Sequence, residues 1–99
     1  MSEWIYFLHP PRDDFAVSMT DDERAVFAQH RAYLEELMEQ GSLLIAGPTG
    51  GTVNTGITVF ESPDELSARA IMDGDPAIVA GIMRGELRAF RATFLRGRS

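Results

Sequence analysis

The chain has 99 residues, a length that suits one domain with one hydrophobic core. It has no cysteine and no lysine, which excludes disulfide frameworks, thiolate metal sites, Schiff-base chemistry and the lysine of a P-loop. The net charge of −6 opposes binding to nucleic acid, and no apolar stretch reaches the roughly 20 residues that a bilayer requires. We therefore expect a single domain over residues 1–99 of a soluble cytoplasmic protein, with no nucleic-acid or membrane partner.

The first strand and the first helix have clear boundaries in the sequence. Residues 3–9 are aromatic and branched, and the two prolines that follow cannot continue a central strand. Residues 12–19 are expected to form a loop. Thr20 and Glu23 then have the spacing of a capping box, which begins a helix. Apolar side chains keep helical spacing until Gly41, where a left-handed helix end is expected.

Two further strands are predicted on either side of a glycine-rich turn. Residues 42–46 form a short apolar run, and residues 55–61 resume strand character after the turn at 47–51. Ser62 and Pro63 repeat the capping pattern and predict a helix that ends near Met72.

The last part of the chain predicts a short helix and a final strand. The Asp75-Pro76 pair begins a helix through about Met83, because the carboxylate caps the helix and proline presets φ. Gly85 is expected to end this helix. The final strand is predicted at 87–95, followed by a loose tail over 96–99.

The order β-α-β-β-α-β, with an extra short helix, predicts an α+β fold of the ferredoxin-like (split βαβ) plan. Both helices would then cover one face of the sheet. The first strand is apolar on both sides, with Trp4, Tyr6 and Leu8 on one and Ile5 and Phe7 on the other. Four strands present roughly 330 Å² on the other face, a size that marks an interaction surface. We therefore expect a homodimer that packs sheet on sheet, a dimeric α+β barrel.

His30 is a candidate functional residue because of its place on the first helix. It lies three residues after Phe27 and four before Leu34, which puts it on the buried stripe of that helix. One interpretation is a core imidazole bonded to a backbone carbonyl. The other is a general base, since a free imidazole titrates near pH ~6.5 and is helped by a carboxylate that fixes its tautomer.

Asp75 is the best candidate for that carboxylate. Asp-Pro at a helix start is first of all a capping signal, but a carboxylate has about four acceptor sites. One oxygen is able to cap the helix while the other accepts from an imidazole. Spacing does not decide whether residues 45 apart in sequence meet, although the two helices would lie side by side.

Four segments together resemble the YCII-related (YciI-like) family, and they span almost the whole chain. The most specific features are the histidine on the first helix, the Ala-Gly-Pro turn and the Asp-Pro pair. The segments are 27–34 (FAQHRAYL), 41–48 (GSLLIAGP), 62–65 (SPDE) and 74–76 (GDP).

The resemblance implies a dimeric ferredoxin-like α+β barrel and a His–Asp active site, which falls on His30 and Asp75. A dehydrochlorinase that acts on a chlorinated hydroxyhydroquinone is similar. The family often has an aromatic residue after Asp-Pro where this chain has Ala77, a difference expected to widen the pocket. We expect a small metabolic enzyme, a lyase or isomerase without a cofactor, that removes a proton from a small cyclic or phenolic substrate. The alternative is a non-catalytic ligand-binding or oligomerisation module.

Three further residues are weaker candidates for substrate binding. Gly47 and Pro48 belong to a turn whose amides would suit an anion, although glycine turns between strands are common and no phosphate-binding motif matches. His9, at the end of the first strand, borders a pocket or is a surface turn residue. No ligand spacing supports a metal site built from His9 and His30.

The last sixteen residues are basic, with five arginines against the single acid Glu86. This charge suits an anionic substrate or the acidic surface of a sister subunit, or it keeps an edge strand from aggregating. RNA-recognition sheets use the same element order, but residues 55–61 lack their aromatic signature and the net charge opposes RNA.

Overall fold

The computed structural model describes residues 1–97, in which four strands form one antiparallel sheet of order β2-β3-β1-β4. β1 pairs with β3 and with β4, and β2 pairs with β3. Arg98 and Ser99 of the predicted tail lie outside the described residues. The strands are β1 (Ser2–His9), β2 (Leu43–Pro48), β3 (Gly56–Ser62) and β4 (Arg84–Phe90).

Four helices pack on one face of this sheet, which makes a small α+β fold. The core joins that face to all four helices, and Tyr6, Phe60, Ala68 and Ala77 in it are fully buried. Within residues 1–97, no helix is both long and apolar enough to cross a bilayer. The helices are α1 (Phe15–Ser18), α2 (Asp21–Glu39), α3 (Glu65–Asp73) and α4 (Pro76–Val79).

Both ends of α2 follow the sequence prediction. The Thr20 hydroxyl accepts from the Glu23 amide at 3.1 Å, and the Glu23 carboxylate accepts from the Thr20 amide at 2.8 Å. At the other end Gly41 has a φ of 81°, and the amide of Ser42 donates to the carbonyl of Leu37. This is the Schellman arrangement, which satisfies carbonyls that a helix end leaves free.

The start of the second predicted helix was wrong by two residues. Ser62 and Pro63 were expected to open it, but Asp64 is the N-cap and accepts from the amide of Ser67 at 2.8 Å. Ser62 instead stays in β3, where it pairs with Ser2 of β1. Pairing with β1 extends β3 as far as Ser62, and α3 begins only after the strand has ended.

The final strand was also misplaced, since β4 covers Arg84–Phe90 rather than 87–95. Its limits follow its partner β1, whose Glu3 pairs with Phe90. Gly85 does not end a helix but lies inside the strand, where an added Cβ would be 2.7 Å from Ile78 Cδ1. Glycine thus allows the strand to approach the helices closely.

Three smaller boundaries differ from the prediction. α4 ends at Val79 rather than near Met83, because the chain turns at Gly81, which has a φ of 74°. β2 continues through Gly47 and Pro48, which pair with β3; proline is tolerated because β2 is an edge strand. Residues 12–19 were expected to be a loop but contain α1. Phe15 anchors this segment in the core, where its side chain is only 2% exposed.

The sheet face opposite the helices carries both apolar and charged side chains. Cross-strand register places the side chains of β1 at 5 and 7 on this face, so the predicted alternation along the strand is confirmed. β4 adds charge to the same face, where Glu86 lies opposite Phe7. Ile45 of β2 is 64% exposed there and is opposite Val59.

Candidate active site

His30 and Asp75 meet between α2 and α4. Nδ1 of His30 lies 2.8 Å from Oδ1 of Asp75 and 2.9 Å from Oδ2. The Asp75 side chain is fully buried, and the His30 side chain is 15% exposed. The prediction that these two side chains would lie together is confirmed, and their catalytic role stays a prediction.

Asp75 holds three elements together through its two oxygens. Oδ1 accepts from the backbone amide of Ala77 at 2.9 Å, so Asp75 is also the N-cap of α4. Oδ2 accepts from the Tyr6 hydroxyl of β1 at 2.7 Å. The third donor is His30 of α2. The same carboxylate therefore serves both as the helix cap and as the partner of the imidazole.

This arrangement determines which nitrogen of His30 carries the proton. An ionised carboxylate accepts hydrogen bonds and donates none, so Nδ1 must hold the hydrogen that lies between it and Asp75. In the neutral ring, Nε2 then has a free lone pair. Every buried side-chain nitrogen or oxygen of the described residues has a partner. Since no hydrogen bond reaches Nε2 within residues 1–97, this atom is open to solvent.

A cavity of about 320 Å³ lies beside the imidazole. We call it the His30 cavity. It is lined by residues of α1, α2 and the adjacent ends of β2 and β3, and its wall is mostly apolar. The Phe27 ring lies 5.2 Å from the imidazole centre and helps to fix its orientation. Other wall residues are Leu8, Phe15, Met19, Leu34, Ala46 and Met83.

Two segments that line the His30 cavity are tied to each other. The Asn54 side chain accepts from the Ala16 amide at 3.1 Å and donates to the carbonyls of Thr49 and Gly51. The Asp14 amide adds a 2.7 Å bond across the same gap. Asn54 thus fixes α1 against the β2–β3 connection, and both line the cavity.

The other predicted site residues fall in two places. Gly47 and Pro48 line the His30 cavity. His9 does not line it; its side chain lies on the opposite face of the sheet, where Nε2 is 2.8 Å from the Glu86 carboxylate. Ala77 also fails to line the cavity, so the expectation that it widens the pocket was wrong. Its side chain is fully buried.

Burial and nearby charge act on the two tyrosines around Asp75. Burial, and then the charge of Asp75, raise the pKa of Tyr6 well above its ordinary value. The pKa of Tyr33 is raised by the same two causes, with a small contribution from Glu36. Its hydroxyl donates to the Ile71 carbonyl at 2.6 Å and makes no hydrogen bond to the pair. Both phenols therefore remain protonated hydrogen-bond donors at neutral pH.

Tyr6, Thr58 and Asn54 were not predicted as part of the site. A signal for Tyr6 was present, because a tyrosine on the buried side of a strand needs a partner for its hydroxyl. Thr58 of β3 is 1% exposed, lines the cavity and pairs with Tyr6 across the sheet. Nothing local distinguished Asn54 from an ordinary turn residue.

Metal binding finds no support in the described part of the chain. Within residues 1–97, no group of three or more histidine or acidic side chains is placed to hold a metal ion. His9 and His30 lie on opposite sides of the sheet and do not share a site. The single carboxylate beside His30 is already occupied by three donors.

The fold and the site together define a class: a small α+β domain in which a helix-borne histidine and a buried aspartate lie beside an apolar cavity. The chain belongs to the YCII-related domain family, whose model matches residues 4–90. The resemblance seen in the sequence is thereby confirmed. No curated protein is similar enough to this chain to count as a match.

Among solved structures, the chain is similar to 5-chloro-2-hydroxyhydroquinone dehydrochlorinase (TftG) from Burkholderia phenoliruptrix AC1100 in complex with 2,5-dihydroxybenzoquinone. The two share 18% sequence identity with a TM-score of 0.63, over 88% of this chain and 93% of the other. At this identity the likeness shows the fold alone.

Proposed function

We propose that this protein is a small-molecule enzyme in which His30 is a general base oriented by Asp75. The observation that carries the proposal is the 2.8 Å contact between Asp75 and Nδ1, which leaves Nε2 unprotonated and open beside a cavity. A positioned base of this kind contributes about 10²–10⁴-fold to a rate. The cavity, at about 320 Å³, suits a compound the size of one substituted ring.

The reaction begins with the transfer of a proton from the substrate to Nε2 of His30. Asp75 then stabilises the imidazolium through the Nδ1–H hydrogen bond, as a carboxylate partner does for a histidine base. Loss of a leaving group completes an elimination, and return of the proton to another carbon completes an isomerisation. Neither route needs an oxidant or a metal, because the electron pair of the broken bond to hydrogen stays in the substrate.

The substrate class we propose is a small phenol or cyclic ketone with an acidic proton. The apolar wall favours an aromatic ring, and the likeness in fold to a dehydrochlorinase points to halogenated hydroxyhydroquinones. For such a compound, one hydroxyl proton moves to the carbon that bears chlorine and gives the keto tautomer. His30 then takes a second hydroxyl proton, the electron pair moves through the ring, and chloride leaves that carbon. The products are a hydroxyquinone and HCl, so the step is redox-neutral.

The test is turnover of 5-chloro-2-hydroxyhydroquinone and related halogenated phenols, followed by chloride release and quinone absorbance under anaerobic conditions. We expect His30→Asn to lose at least about 100-fold in kcat/KM. His9→Asn is the matched control, because His9 lies outside the cavity, and it should keep the parent rate. Equal rates for His30→Asn and the parent would contradict the proposal.

We also propose that the domain is a ferredoxin-like dimeric α+β barrel formed by two copies of this chain, in the cytoplasm. The strand order β2-β3-β1-β4 and the apolar side chains on the sheet face away from the helices support this assembly. Ile5, Phe7 and Ile45 on this face are not buried in the single chain, and they are stabilised when a second copy removes them from water.

A second candidate function is a binding module in which the pair only braces the fold. It is favoured by the fact that Asp75 joins β1, α2 and α4 through three hydrogen bonds. In that case ligands would still perturb the imidazole signals, but no compound would be turned over. Ligand-induced NMR changes at His30 without product distinguish this function from catalysis.

A further inference from the structure

Tyr6 is held more firmly than a simple core residue requires. Its side chain is fully buried, and its ring meets Phe60 edge to face, with centroids 5.7 Å apart and planes at 68°. Its hydroxyl donates to Oδ2 of Asp75 at 2.7 Å. The phenol is thus fixed at both the ring and the hydroxyl.

The direction of the Tyr6 proton follows from its partner Asp75, whose Oδ2 lies 2.7 Å from the phenol oxygen. A phenol has only one proton, and a carboxylate accepts without donating. The Tyr6 proton must therefore point at Asp75, and it is not available to a molecule in the cavity.

Each oxygen of Asp75 then has a fixed donor besides the imidazole. The Ala77 amide holds Oδ1, and the Tyr6 hydroxyl holds Oδ2. The plane of the carboxylate is set by these two bonds, and both oxygens lie within 2.9 Å of Nδ1 of His30. Without the Tyr6 donor, Oδ2 keeps only the imidazole as a partner.

We propose that Tyr6 is a positioning residue of the His30–Asp75 pair, which sets the orientation and basicity of the carboxylate. This deepens the proposed function and rests on it for the catalytic consequence. The effect on the imidazole itself is independent of any reaction.

Few charged or titratable groups lie near the His30 ring, so a change in its titration midpoint can be assigned to the Tyr6–Asp75 contact. Asp75 faces the ring from α4, and Tyr6 reaches it from β1 only through Asp75. On α2, Arg31 is adjacent but its side chain is 84% exposed. Tyr33 bonds to the Ile71 carbonyl instead of the pair.

The experiment is a pH titration of the His30 ring by NMR in the purified protein without ligand. In Tyr6→Phe, Asp75 loses a donor and keeps more negative charge for the imidazolium, so the titration midpoint should rise by about one pH unit relative to the parent. Tyr33→Phe, which removes a phenol hydroxyl outside the pair, should leave the midpoint unchanged.

A midpoint in Tyr6→Phe equal to that in Tyr33→Phe, with both variants folded, would overturn the proposal. If Tyr6→Phe does not fold, incorporation of 3-fluorotyrosine into the Tyr33→Phe protein decides, because Tyr6 is then the only tyrosine in the sequence. The more acidic phenol is a stronger donor to Asp75, so the midpoint should fall, and an unchanged midpoint overturns the proposal. With a turned-over substrate, we expect Tyr6→Phe to lower kcat by about tenfold at constant KM, because the cavity wall is intact. Absence of turnover in the parent would refute the proposed function, yet the NMR result would still decide the role of Tyr6.

Discussion

His30 and Asp75 are 45 residues apart in the chain, and their side chains are joined at 2.8 Å. The contact links α2 to the start of α4, where Asp75 also caps the helix. Because the cap fixes Oδ1, the imidazole finds its acceptor already in place. The local capping signal and the proposed catalytic role therefore depend on the same oxygen atoms.

Asp75→Asn should break the hydrogen bond from Nδ1 of His30 while keeping the size of the side chain at position 75. The amide oxygen is still able to cap α4, but the amide nitrogen is a donor and repels the Nδ1 proton. The ring then favours the Nε2–H tautomer, which has no base facing the cavity. We expect turnover to fall by about 10²–10⁴-fold, with the tautomer change visible in ¹⁵N NMR spectra of His30.

A matched control for that variant is Asp73→Asn, since Asp73 is an exposed carboxylate at the end of α3. It should leave both turnover and the His30 spectrum as in the parent. An Asp75→Asn protein that keeps the parent tautomer and the parent rate would show that the Asp75 carboxylate neither sets the His30 tautomer nor contributes to turnover.

Sequence reasoning found the pair because each member carries a local signal. His30 interrupts an apolar helical stripe, and Asp75 precedes a proline at a helix start. Tyr6 was missed because its role comes from the packing of β1 beneath α4, which no local pattern records. The same limit explains β4, because its boundaries are set by pairing with β1 across more than 75 residues of chain.

Asn54 is expected to control access to the His30 cavity. In Asn54→Ala, the bond to the Ala16 amide and the bonds to the β2–β3 connection are lost together. These two lining segments should separate more often, so we expect KM or ligand Kd to rise about tenfold with little change in kcat. Faster hydrogen exchange at the Ala16 amide would report the loosening without a substrate. Val53→Ala, at an exposed neighbour, should leave this exchange rate unchanged.

The stability of the domain in acid should depend on Glu23. Hydrogen bonds from Arg12, and then the Thr20 amide, lower the pKa of this carboxyl from 4.5 to about 2. A lowered pKa means that the stabilisation is complete above pH 4.5 and is lost as the pH falls towards 2. Glu23→Gln should therefore lower the urea midpoint at pH 7 and flatten its decline between pH 4.5 and 2. Asp22→Asn, at a neighbouring exposed carboxylate, should keep the parent slope; identical slopes for all three proteins would refute this assignment.

Ile45 offers a test of the sheet-on-sheet dimer. It lies opposite Val59 on the face away from the helices and is 64% exposed, so Asp is tolerated in a single copy of the chain. Within a dimer the new carboxylate would be buried without a partner, which costs several kcal/mol, and the dimer Kd should rise by at least about 100-fold. Sedimentation equilibrium measures this directly. Leu66→Asp, on the exposed side of α3 at 83% exposure, should stay as dimeric as the parent. A parent protein that is monomeric at micromolar concentration would refute the dimer. An Ile45→Asp variant that dimerises as well as the parent would show that the two copies meet at another surface.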